Sequence, residues 1–256
     1  MCWFFPLAIA MTAPVKLQNH QFVLYASIFG NYRNEEQGLG EQLERFNKYD
    51  VALFLFTDSK TISNITGWNV VRMESGESVH GIPAHRVCIK ELKFVGHETI
   101  RNYRYRIHVD TYTGQLKRLH TALQNGLLDY VRCHPSKALF VEKHPLRTTI
   151  EQEVNTLKRS AALQPRATLN KWDAHLKPMY STLNRVHLPA LWFWVLDTRH
   201  DSFVHKWASI YDTLLEWGIW RDQIVYSYAL KNVHGEVEHI DHNATMACPD
   251  TGQMDV

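Results

Sequence analysis

The sequence has no cluster of basic charge. Its 28 Lys and Arg and 26 Asp and Glu are spread along 256 residues for a net charge of +2, so the basic stripe that tracks a phosphate backbone is missing and nucleic acid is not an expected partner. It also lacks a CxxC pair. Cys2, Cys88, Cys133 and Cys248 stand far apart, which argues against a zinc knuckle and a compact disulfide framework and fits a reducing compartment, so the expected location is cytoplasmic. The apolar start, MCWFFPLAIAM, falls short of the ~20 residues of a spanning helix and lacks the basic flank of a signal peptide. Residues 1–18 read as a leader: a buried strand, a membrane-touching tip, or a segment preceding a true start at Met11. Membrane contact, where it occurs, is therefore expected to be peripheral. With 45% hydrophobic and 21% charged residues, the remainder fits one large domain over 19–235, followed by a polar tail over 236–256.

Apolar runs at 21–29 (QFVLYASIF), 51–56 (VALFLF), 69–73 (NVVRM), 104–110 (RYRIHVD), 138–142 (ALFVE) and 191–196 (LWFWVL) read as strands. Helical spacing fills the gaps at 39–49, 84–95 and 115–131. A helix introduced by a T-x-x-E box at Thr148 and Glu151 ends at Pro165, and one over 170–185 is kinked by Pro178. Two more follow, one from Asp201 or Ser202 to Gly218 and one over 224–230. Strands alternating with helices imply an α/β fold: one Rossmann-like, mostly parallel sheet flanked by helices.

Polar residues collect where the strands stop. In RYRIHVD, Arg106, His108 and Asp110 share a face, and Asp110 falls at the carboxyl end of its strand, where open α/β sheets bind ligands. Its plainer role is to cap the following helix. Arg86, Lys90 and Lys93 share one helix face, as a solvated row or as cations for a phosphate-bearing ligand. Arg147 at the exit loop His144-Pro145-Leu146-Arg147 suits a bidentate phosphate contact, with a surface ion pair as the alternative. Asp222 or Glu153 is a candidate base for an acceptor hydroxyl, though Asp222 could simply cap its helix. His108 is either a core residue or a ligand, and His239-Ile240-Asp241-His242 either a solvated tail or a source of one metal ligand. Trp192, Trp194 and Trp207 read as core.

In this order, over 21–230, these segments resemble the glycosyltransferase-like family of formerly unknown-function domains that includes plant mucilage-related hexosyltransferases. The residues that carry the resemblance are KELKFVGH with Lys90 where Arg is usual, IHVD in place of IWID, HPLR followed by Glu153, the Arg199-His200 pair, and RDQI at Arg221. The resemblance implies a GT-A-like architecture and a nucleotide-sugar donor held by Lys90, Lys93, His97, His108, His144, Arg147, Arg199, Arg221 and Gln223. It implies Asp110, Asp222 and Glu153 as catalytic carboxylates, and a glycan, lipid or protein hydroxyl as acceptor. It also implies a divalent metal, Mn or Mg, on an Asp-x-Asp pair. Here His108 takes the first position and Asp110 the second, whereas hard cations prefer oxygen. Two other readings are a non-catalytic carbohydrate-binding relative and a metal-assisted hydrolase using His108, Asp110 and a tail histidine.

Overall fold

Seven strands form one sheet: β1 (Phe22–Ile28), β2 (Ala52–Thr57), β3 (Asn69–Arg72), β4 (Tyr105–Asp110), β5 (Leu139–Lys143), β6 (Pro189–Asp197) and β7 (Val237–Ile240), in the order β3-β2-β1-β4-β6-β5-β7. The computed structural model describes residues 20–30, 38–62, 64–159, 166–185 and 187–248. The leader over 1–18 and the helix stop at Pro165 lie outside the described residues. Six strands run parallel, and β6 runs against both of its neighbours. Because most strands are covered on both faces, they read as near-continuous apolar runs rather than alternating ones.

The helices between them are α1 (Leu39–Glu44), α2 (Ala84–Phe94), α3 (Glu98–Arg101), α4 (Thr113–Gln124), α5 (Leu127–Cys133), α6 (Ile150–Arg159), α7 (Arg166–Leu176), α8 (Tyr180–Leu183), α9 (Asp201–Trp217) and α10 (Asp222–Ala229). Val23, Tyr25 and Trp194 point to the face covered by α2, α6, α9 and α10. Phe22, Leu24 and Phe193 point to the opposite face, against α1, α4 and α5. The chain leaves β1 towards β2 and β3, then crosses back to place β4 on the other side of β1. That reversal puts a topological switch point at the carboxyl ends of β1 and β4, where Ser27 and Asp110 are paired in register.

Local chemistry moved several boundaries. The single helix expected over 115–131 is two, because Gly126 adopts φ 93 and a Cβ there would come within 2.9 Å of the Met246 carbonyl. Pro178 splits its helix, with a 3₁₀ turn at Lys177–Met179 between α7 and α8. The cap of α6 sits one residue later than expected: Thr149 Oγ1 accepts the Gln152 N–H, and Gln152 Oε1 accepts the Thr148 N–H. The supposed polar tail contains β7, a short edge strand with Val237 and Ile240 buried and two polar residues between them. A disulfide then ties Cys248 to Cys133 across 115 residues of sequence. The wide spacing of the cysteines argues against a compact disulfide framework, and this bond is a long-range one. Among the described residues no helix is long and apolar enough to cross a membrane.

His108 lies in the middle of the packed face. Its ring stacks on Trp194 at 5.4 Å and meets Tyr25 edge-on at 5.3 Å, and neither ring nitrogen has a hydrogen-bond partner among the described residues. Burial, reinforced by Lys93 and Lys90, holds its pKa well below the usual histidine value. The unfolded chain therefore takes up a proton near pH 6.5 that the folded chain refuses. Stability is complete above that pH and falls below it, by up to about 1.4 kcal/mol per pH unit for each such histidine. Thermal unfolding should accordingly shift to lower temperature between pH 7.5 and pH 5.5, values chosen to bracket the ordinary histidine pKa of about 6.5. His108→Phe should flatten that dependence, and an unchanged slope in the variant removes His108 as its source.

Candidate active site

α2 runs back from the switch point under the sheet and sets Arg86, Lys90 and Lys93 along one edge, as its spacing demands. All three line a cavity of about 390 Å³ together with Ser27, Asp110, Trp192, Arg221, Asp222 and Gln223. The row is not a solvated one. Lys93 is fully enclosed, and its ammonium reaches the Leu191 carbonyl at 2.7 Å, Asp222 at 2.9 Å and Asp110 at 3.5 Å. Lys90 reaches the same Asp222 oxygen at 2.7 Å. Two ammonium groups thus share one carboxylate, and one of them extends to a second.

The carbonyls come from an irregularity in β6. Val141 pairs with Trp194 but Lys143 pairs with Pro189, so β6 carries extra residues there, and Leu191 takes φ 50, an unusual value for a branched side chain. This bend aims the Leu191 carbonyl at Lys93 and the Ala190 carbonyl at the Gln223 amide, 3.1 Å away. It also turns Trp192 towards the cavity. Asp222 and Gln223 open α10, but neither caps it: the N-cap is Arg221, without a side-chain cap bond.

The charges differ in how they are held. Burial opposes ionisation of Asp222, yet Lys90 and Lys93 override it and keep its carboxyl well below the usual range. For Lys93 the two aspartates likewise outweigh burial and raise its pKa, whereas burial prevails at Lys90 and lowers it. Asp110 goes the other way, its pKa raised by partial desolvation in the cavity wall with Lys93 and Lys90 opposing. Its side chain remains 39% exposed, against 6% for Asp222 and 0% for Glu153. Asp110 is therefore the one of the three candidate carboxylates with a face open to a ligand.

Behind the cavity lies a second tier. Glu153 takes Arg147 at 2.6 Å and Arg221 at 2.7 Å, clamps the two guanidinium groups together and does not line the cavity. His144 Nδ1 accepts the N–H groups of Leu146 and Arg147, and its Nε2 meets the Arg147 guanidinium. Burial and the two arginines push its pKa down to about 4. Only Arg221 of this group lines the cavity, so Arg147 acts on it through Glu153.

Other expected residues lie elsewhere. Arg199 pairs with Asp197 at 2.6 Å, and because β6 is antiparallel this end of the strand meets the start of β4, at the opposite edge of the sheet. His97 is the N-cap of α3, accepting the Thr99 N–H. His108 is enclosed in the core as described. His242 bonds Glu142, whose other neighbour Arg118 stacks on Trp192. Ser27, Thr111, Tyr112 and Gln115, outside the expected set, also line the cavity. Ser27, at the end of an apolar strand, had a readable signal. Trp192 did not, since only the bend of β6 takes it out of the core.

These residues fit a divalent metal poorly. Asp222 is saturated by two ammonium groups, Asp110 faces a third contact from Lys93, and His108, in the other half of the expected pair, keeps both nitrogens inside the core. Among the described residues no three His, Cys, Asp or Glu side chains gather into a metal-binding group.

Relieving the clamp should show how the tiers are coupled. Replacing Glu153 by Gln leaves Arg147 and Arg221 as neighbouring cations without a counter-charge, a change of the kind that costs about 3–5 kcal/mol in a buried pair. The unfolding midpoint should fall markedly, while Lys143→Gln at the exposed end of β5 should leave it within about 0.5 kcal/mol of the parent. Equal midpoints for the two variants would remove the clamp from the account.

No protein-family model matches the chain, and no curated protein matches it by sequence. Its structure is similar to the WbbM bifunctional glycosyltransferase in the apo form, with a TM-score of 0.51 at 11% identity, over 89% of this chain and 40% of that one. It is also similar to mouse xyloside xylosyltransferase 1 in the apo form, at 0.45 and 12%, over 86% and 85% of the two chains. Core-mannan synthase A from Aspergillus fumigatus, solved in an Mn/GDP form, matches at 0.44 and 12%, over 94% and 81%. This chain spans less than half the length of WbbM. The seven-stranded, mostly parallel sheet between two helical layers is a GT-A-like glycosyltransferase fold.

Proposed function

We propose that the chain is a glycosyltransferase that moves a sugar from a nucleotide-sugar donor to a hydroxyl of a glycan, lipid or protein. One observation supports the reading above the others: a cavity at the switch point of a GT-A-like sheet, edged by Arg86, Lys90, Lys93 and Arg221 and holding one accessible carboxylate, Asp110. Cations grouped around a pocket suit the diphosphate of the donor, and a protein-fixed arrangement needs no reorganisation as charge develops on the leaving group.

In this mechanism a bond forms between the acceptor oxygen and the anomeric carbon, and the bond from that carbon to the diphosphate oxygen breaks. The electron pair leaves with the diphosphate. The acceptor's proton passes to Asp110, the carboxylate with a face open to the cavity. Asp222 holds the two lysines in place, and Glu153 with Arg147 holds Arg221. The hydrolase reading loses support, because His108 and His242 lie apart from the cavity that Asp110 faces.

Asp110→Asn should cut transfer by at least ~10²-fold, within the range of a lost general base. Its unfolding temperature should stay close to that of the parent, since the change is nearly isosteric. Transfer within a factor of about three of the parent, a difference under ~1 kcal/mol, would take Asp110 out of the reaction. Donors are to be found by measuring thermal stabilisation of the chain by nucleotide sugars, since a ligand of the native state raises the midpoint.

A further inference from the structure

We propose that the ammonium groups of Lys90 and Lys93 take the place of a divalent metal in this site, so that diphosphate binding is metal-independent. The inference rests on the glycosyltransferase reading and specifies how that site holds its leaving group.

Charge is the first ground. Among the described residues, the cavity wall carries four cations, Arg86, Lys90, Lys93 and Arg221, against two carboxylates, Asp110 and Asp222. The extra positive charge of Arg221 is answered by Glu153 only in part, since Glu153 is shared with Arg147. The wall therefore holds a positive surplus matched to a diphosphate diester without any added ion.

Geometry is the second. A divalent ion on Asp110 would have to share that carboxylate with the Lys93 ammonium, 3.5 Å from it, so the ion would meet a like charge already in place. It would gain no second carboxylate, because Asp222 is already engaged by both lysines, and no imidazole, because His108 is packed between Tyr25 and Trp194. Donor count points the same way. Lys93 directs its ammonium to Leu191, Asp222 and Asp110, which fixes it as a buried charge. Among the described residues Lys90 bonds Asp222 alone, so its ammonium has hydrogens left to give to phosphate oxygens in the cavity it lines.

In the transfer step, the electron pair of the breaking anomeric carbon–oxygen bond stays on the diphosphate. The charge that develops there is met by Lys90 and the arginines, with Lys93 fixed behind them. No electron donor or acceptor is needed, and the proton balance is that of the acceptor and Asp110.

The test is calorimetric binding of UDP, GDP, ADP and CDP, and of inorganic pyrophosphate, to the full chain in EDTA and again in excess Mn. Electron paramagnetic resonance should follow protein-bound Mn in parallel. At least one nucleoside diphosphate should bind with dissociation constants within about threefold in the two buffers, a difference under ~1 kcal/mol. Lys90→Gln should weaken that binding by about tenfold or more in EDTA, the scale of a lost charge-assisted contact. Arg86→Gln, at the rim of the same wall, serves as the second variant and should also weaken it.

Binding that strengthens about tenfold on adding Mn, with a protein-bound Mn signal, overturns this inference and leaves the glycosyltransferase reading standing. Failure of every nucleoside diphosphate to bind in both buffers overturns that reading and the inference with it. Unchanged affinity in both Lys90→Gln and Arg86→Gln overturns the assignment of the charge to these side chains.

Discussion

Two lysines buried against one aspartate fix the centre of this structure. Lys90 and Lys93 come from α2 and Asp222 from the start of α10, 132 residues beyond Lys90. Each of these ions has lost most of its water, and a buried ion is tolerated only where partners replace that hydration. The pairing therefore acts less as a source of net stability than as a constraint on where α10 can begin. Gln223, one residue on, fastens the same turn to Ala190, so α2, α10 and the bend of β6 are tied to one another. The positive φ of Leu191 is sustained because both neighbouring carbonyls are claimed by side chains from other elements.

The polar residues around this centre have unlike duties although they have similar chemistry. Asp110, Asp222 and Glu153 are all carboxylates near cations, yet exposure separates them into a group that meets solvent, a group that fixes lysines and a group that fixes arginines. Such layering is what a preorganised site requires, because a cation that must hold its direction needs its own anchor.

Much of this was legible in the sequence, and the failures have definite causes. Strands at QFVLYASIF, VALFLF and LWFWVL were plain because burial on both faces leaves unbroken apolar runs. The common edge of Arg86, Lys90 and Lys93 followed from helical spacing alone. Arg199 was misplaced because a run of residues does not disclose strand direction, and an antiparallel β6 carries its polar exit to the far edge. Glu153 looked like a base for want of any local sign that Arg147 and Arg221 would enclose it, the latter being 68 residues away. β7 escaped notice because a four-residue edge strand with polar residues at its centre has too little pattern to rise above a loop. The Cys133 to Cys248 bond joins positions that no short spacing relates.

α2 has one property that its individual residues do not. Its 11 residues carry Arg86, Lys90 and Lys93, while the Leu92 carbonyl accepts the Tyr25 hydroxyl at 3.2 Å from the middle of β1. Three of the four cations on the cavity wall, counted among the described residues, consequently spring from one helix, so their anchor points move together. A slide of the helix by one residue's rise, about 1.5 Å, would carry all three past their positions and pull Lys93 from Leu191 at the same moment. The Tyr25 hydroxyl thus ties the row to the sheet at the height at which it stands.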